Sequence, residues 1–136
     1  MTVPGPGATS RPLQSADAVL MVRPASFGWN AQTAASNRFQ LAAPVTADDA
    51  CERAVAEFDA LAAALVHAGV VVHAFNDRAE PACPDAVFPN NWVSFHEDGT
   101  VVLYPMRDPS RRRERNEALI DSVKRELGFV ERRRYD

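Results

Sequence analysis

Residues 46–75 read TADDACERAVAEFDALAAALVHAGVVVHAF, and this stretch decides the fold class. Thr46 precedes Asp49 at capping-box spacing, with Asp in place of the usual Glu, and Asp48 and Asp49 suit the positive end of a helix. Cys51, Val55, Phe58, Ala62 and Leu65 then recur every three or four residues and define one apolar face. Gly69 is placed to end the helix. Val70 to Phe75, rich in β-branched residues, is expected as a strand.

Working outward, Ala18 to Arg23 is a short apolar run stopped by Pro24, the pattern of a buried strand. Residues 25–44 are irregular, with Phe27, Trp29 and Phe39 among Asn and Ser; a loop of that length is often functional. Residues 1–16, mixing Pro, Gly, Ser and Thr without periodicity, are expected as a disordered leader, which leaves 17–136 as the ordered domain. Downstream, Asn76 to Pro89 holds three prolines and reads as a loop. Asp98-Gly99 between Trp92–His96 and Val101–Tyr104 signals a β-hairpin. A second helix is expected from about Arg111 to Leu127, capped by Asp108 or Ser110, striped by Leu119, Val123 and Leu127, and stopped by Gly128. Phe129 and Val130 begin another strand. Alternating strands and helices make an α/β domain, and the twice-used helix–Gly–strand order hints at repeated units.

Composition bounds the function. The chain has 136 residues, 46% hydrophobic and 24% charged, with a net charge of −3, ordinary values for one globular domain. No apolar run reaches bilayer-spanning length and no basic-then-apolar export signal opens the chain, so neither a membrane nor a secretory role is expected. The acidic balance offers no electrostatic footprint for nucleic acid. With two cysteines and no export signal, a cytoplasmic protein with free thiols is the simplest reading.

Few residues stand out as chemistry. His67, His73 and His96 lack metal-ligand spacing and no Cys-x-x-Cys occurs, so no metal or other cofactor is expected. Cys51 falls on an apolar helix face and Cys83 in the Pro-rich loop, where greater exposure is expected but no basic neighbour lies within four positions. The clusters Arg111-Arg-Arg-Glu-Arg115 and Arg132-Arg-Arg134 could suggest phosphate binding, but on a helix the first points in several directions and is interrupted by Glu114, so a solvated face is the reading preferred. The informative segment is PDAVFPNNWVSFH, residues 84–96, in which a loop brings Asp85, Phe88, Asn90 and Asn91 to the mouth of a strand. Two readings stand side by side: turn chemistry, and recognition of a small planar polar group by a carboxylate, a ring and two amides.

Residues 21–27 (MVRPASF), 30–40 (NAQTAASNRFQ), 84–96, 98–106 (DGTVVLYPM) and the Arg run after them resemble the arginine deiminase-related amidinotransferase superfamily, most nearly its citrulline-utilisation hydrolases. The similarity runs from about Ala18 to the last residue. It implies the pentein fold, an α/β propeller of ββαβ units, of which about two would be present here. It implies a hydrolase that attacks a guanidino or ureido carbon with a cysteine, aided by a histidine, on citrulline or arginine. Asp85 and Phe88 match the superfamily's substrate-binding segment, whereas Asn90 and Asn91 stand where acids grip a guanidinium. An amide both donates and accepts, so Asn91 would suit the carbonyl of a neutral ureido group. No residue here matches the catalytic histidine or the late cysteine, so the chain is expected to be the N-terminal part of a longer enzyme, inactive alone and prone to self-association through an exposed edge. The rival expectation is a non-catalytic binding or assembly module, since this fold also serves a ribosome-associated factor without enzymatic activity.

Overall fold

The computed structural model describes residues 15–40 and 44–129, together with the backbone of 131–134. The expected leader over residues 1–16 lies outside these residues except for its last two.

Two β-α-β units organise the chain. In the first, β1 (Ala18–Arg23) and β2 (Val71–Asn76) pair in parallel, with Ala18 opposite Val71 and Arg23 opposite Asn76. A parallel pair needs a crossover, and the segment between supplies it as the long helix of residues 47–67. That helix starts as its sequence dictates: the Thr46 side chain accepts the amide hydrogen of Asp49 at 3.1 Å. It ends at His67, with Gly69 at φ +87°, a conformation glycine adopts without steric cost. Phe58 is buried and the other four stripe residues are half-buried. A two-pronged ion pair from Arg23 to Asp59, both contacts 2.8 Å, ties the helix to β1.

In the second unit, β3 (Val93–Phe95) and β4 (Thr100–Leu103) form the expected hairpin. Asp98 accepts the Thr100 amide hydrogen at 2.9 Å, and Gly99 turns the chain at φ +83°. A helix over Glu117–Leu127 then crosses to β5 (Glu131–Arg134), which pairs in parallel with β4. Gly128, at φ +76°, closes that helix as Gly69 closes the first. The hint of repetition thus has a topological counterpart, a parallel strand pair bridged by a helix that stops at a left-handed glycine.

Four expectations need correction. The loop after Pro24 contains a short helix, α1 (Ala31–Ala34), capped by Asn30, which makes the helix of residues 47–67 α2. The expected helix from Arg111 to Leu127 is two helices, α3 (Pro109–Arg112) and α4 (Glu117–Leu127). Asp108 makes no capping bond, whereas Asn116 accepts the Leu119 amide hydrogen at 3.2 Å and starts α4 afresh. The last strand begins at Glu131 rather than Phe129, and Val130 lies outside the described residues. The core stripe of α4 is Leu119, Ile120 and Val123, with Leu127 exposed at its end.

Trp92, Val93, Val101 and Leu103 of the hairpin pack with those three α4 residues, joined by Val22, Cys83 and Ala86. Phe95 and Phe129 add a tilted ring contact, with centroids 5.2 Å apart. This core fixes the loop of residues 77–92, which carries the expected site.

Candidate functional site

The Pro-rich loop turns into the sheet through a single 3₁₀ turn, Pro89–Asn91, directly before β3. Successive residues of such a turn diverge by about 120°, so the four expected site residues cannot share one direction. Phe88 and Asn90 line an apolar groove of about 730 Å³ between β1, α2 and β3. Val19, Phe58, Val93 and Phe95 form part of its wall, and its charged lining is one cation and one anion, Arg53 and Glu57. Asn91 is exposed and does not line the groove. Asp85 does not line it either; it is buried behind the loop at 8% exposure. The structure therefore brings Phe88 and Asn90 together and separates Asp85 and Asn91 from them.

Asp85 sits in a polar network that unites distant parts of the sequence. The Asn30 amide donates to Asp85 Oδ2 at 2.7 Å and to Ser110 Oγ at 3.2 Å. The Ser110 amide in turn donates to the Gln32 side-chain oxygen at 2.9 Å. Arg111 lies 3.7 Å from Asp85 and 2.7 Å from Glu114, an ion-paired trio in which the Glu114 side chain is wholly buried. Burial pushes the Glu114 carboxyl from its ordinary 4.5 up to about 7, with Arg111 opposing the rise and Asp85 and Asp77 adding to it. Asp77 is likewise raised, chiefly by burial.

These residues correct the reading of the Arg run as a wholly solvated face. Arg111 turns inward, its side chain 13% exposed, because two buried carboxylates await a cation there. Arg112 donates to the carbonyls of Met106 and Arg107, at 2.6 and 3.0 Å. Arg78, from the Pro-rich loop, donates to the Arg113 carbonyl. Sequence reasoning missed Asn30, Ser110, Arg111 and Glu114. The i,i+3 spacing of Arg111 and Glu114 carried a signal, but it was indistinguishable from a surface pair.

Neither cysteine is placed as an activated nucleophile. Cys83 is buried at 2% exposure, against the expectation of a more open thiol, because its loop folds into the core. Its thiol donates to the Pro81 carbonyl at 3.3 Å, and burial, with the Asp77 charge beside it, pushes its pKa up. Cys51 is half-buried on α2. His96 Nε2 lies 2.9 Å from Ser94 Oγ, which also meets the Tyr104 hydroxyl at 2.9 Å; no hydrogen bond joins a histidine to a cysteine among the described residues. Nor, among those residues, is any cluster of His, Cys, Asp or Glu able to hold a metal ion, and no helix is long and apolar enough to cross a membrane.

Comparison with known proteins gives one match. The model of the family described as N,N dimethylarginine dimethylhydrolase, eukaryotic, matches residues 23–133, which run from the end of β1 into β5 and include the 3₁₀ turn and the buried polar network. No curated protein and no solved structure matches. The match covers well over half the chain, and the mixed α/β architecture is compatible with a partial pentein fold: the chain belongs to the dimethylarginine dimethylhydrolase family of the pentein, or amidinotransferase, superfamily.

Proposed function

We propose that this chain forms the substrate-binding part of a C–N hydrolase acting on a small amino acid with a guanidino or ureido group, and that it prefers the neutral ureido group of citrulline. The family match carries the first half of this reading; the family's name refers to a methylated guanidinium, a cation. The second half rests on the groove. Phe88 offers a ring on which a planar group can lie, and Asn90 beside it offers an amide, which donates and accepts, where a cation would call for carboxylates. Arg53 and Glu57 leave the groove's charged lining neutral in sum, so it carries no net negative charge to favour a guanidinium over a ureido group. Asp85, held by Asn30 and Arg111, anchors the loop from behind. Asn91, exposed outside the groove, faces a substrate only after the turn rotates, so Asn90 takes the first contact.

With Cys83 buried and no Cys–His hydrogen bond among the described residues, neither Cys51 nor Cys83 is the nucleophile in this reading, so the chain binds substrate without turning it over. Titration of the 136-residue chain with citrulline, arginine and dimethylarginine, followed by amide NMR shifts, tests the reading. Citrulline is expected to shift the Asn90 side-chain amide most, and Asn90→Asp to reverse the order in favour of the cations. The same preference in both proteins, or ammonia released from citrulline by this chain, would sink it.

A further inference from the structure

Beside the 3₁₀ turn lies a second, small cavity of about 10 Å³ that shares no lining residue with the groove. Its polar lining is Asn76, Asp77, Trp92, Glu114 and Asn116, under Leu119. A cavity of that volume holds a single water molecule and nothing larger. Trp92 is 2% exposed and Glu114 5%, and four side-chain atoms of the lining residues are shut off from solvent without a hydrogen-bond partner: the Trp92 indole Nε1, Asp77 Oδ2 and both Glu114 carboxylate oxygens, of which Oε1 lies 2.7 Å from Arg111 as an ion pair.

We propose that this cavity is a binding site for one internal water molecule that accepts a hydrogen bond from Trp92 Nε1–H and donates its two hydrogens to Asp77 Oδ2 and Glu114 Oε2. With Glu114 Oε1 facing Arg111, the unpartnered atoms of the lining are one donor and two acceptors, and one water complements that set. A bound cation, ammonium included, offers no acceptor for the indole N–H. An anion would be repelled by Asp77 and Glu114. Left unpaired, each buried group would cost free energy that one water recovers.

The site joins three segments that the backbone does not connect: the residue after β2, the end of the 3₁₀ turn, and the link between α3 and α4. Through Trp92 the water fixes the position of the turn that carries Phe88 and Asn90. The proposal does not depend on what the groove binds.

Indole NMR tests it on the unmodified chain. The protein has two tryptophans and so two indole N–H signals. Trp29→Phe, at a half-exposed position, leaves only the Trp92 signal and assigns it; Trp92→Phe provides the reverse assignment. At pH about 8.5, above the Glu114 midpoint of about 7, the Glu114 carboxyl is mostly ionised and relays little magnetisation. Water-selective NOESY and ROESY spectra are expected to show a water cross-peak to Trp92 Hε1 of opposite sign in the two, the mark of dipolar contact with a long-lived water. A cross-peak of the same sign in both reports exchange alone and would overturn the proposal. So would no cross-peak, the result if the indole bonds directly to the Glu114 carboxylate.

Discussion

Glu114→Gln is the most informative single change in this structure. The folded carboxyl titrates at about 7 against an ordinary 4.5, so between those values the folded chain binds a proton that the unfolded chain has released. Stability from this group is therefore full below about pH 4.5 and is lost as pH rises through about 7. At about 1.4 kcal/mol per pH unit, the whole shift corresponds to about 3 kcal/mol. Arg111, the partner that opposes the shift, keeps some contact with solvent, so water screens part of this and about 1–2 kcal/mol is expected to be visible. Glutamine keeps the shape and cannot ionise. Urea unfolding of both proteins from about pH 4.5 to pH 8.5 is expected to show Glu114→Gln gaining about 1–2 kcal/mol relative to the parent across the window, with most of the gain between pH 5 and 7.5. Asp77, raised in the same direction, is present in both proteins, so only its coupling to Glu114 enters the comparison. Parallel pH profiles for the two proteins would refute the assignment of a buried, reluctant carboxylate to Glu114.

Other outcomes follow from packing and capping. Ile120→Ala removes a side chain with no exposure from the core under the hairpin and is expected to cost about 2–5 kcal/mol in urea unfolding, whereas the exposed Leu127→Ala should cost less than about 1. Asn116→Ala is expected to cost about 1 kcal/mol and Asp108→Ala less than about 0.5, because only Asn116 caps a helix; equal effects would contradict the division into α3 and α4. Leu61, 53% exposed on the groove wall, together with the open edges of two small sheets, should make the chain associate with concentration in sedimentation velocity. Leu61→Glu should weaken that association, and a concentration-independent monomer would refute it.

The elements that were legible in the sequence are those whose signals are local. Thr46 caps α2 by accepting the Asp49 amide hydrogen, Gly69 and Gly128 stop helices, and Asp98-Gly99 turns the hairpin, because each device acts through neighbours a few residues away. The division between α3 and α4 was hidden because Arg111 to Glu114 are good helix formers. Nothing in their propensities says that Arg111 would be drawn inward by Asp85, twenty-six positions upstream. Cys83 misled for the related reason that a Pro-rich segment reads as surface. Here it is folded under by contacts such as its own amide hydrogen bond to Ser26 Oγ at 2.9 Å.

The segment from Asp85 to Asn91 shows why residue types alone left its reading open between turn chemistry and ligand recognition: it forms a turn, and two of its side chains line a groove. Pro89 to Asn91 is a turn, closed by the Trp92 amide donating to the Pro89 carbonyl at 3.0 Å. That turn divides the motif, sending Phe88 and Asn90 toward the groove and Asp85 into the interior. A carboxylate that accepts from Asn30 at 2.7 Å and faces Arg111 at 3.7 Å has its partners already, so as folded here it braces the loop. If a substrate is to reach Asp85, one of those partners must yield. Asn30→Ala would then loosen the loop and free the carboxylate at once, so stability and any contact with substrate would shift together. At a purely structural aspartate, stability alone would fall.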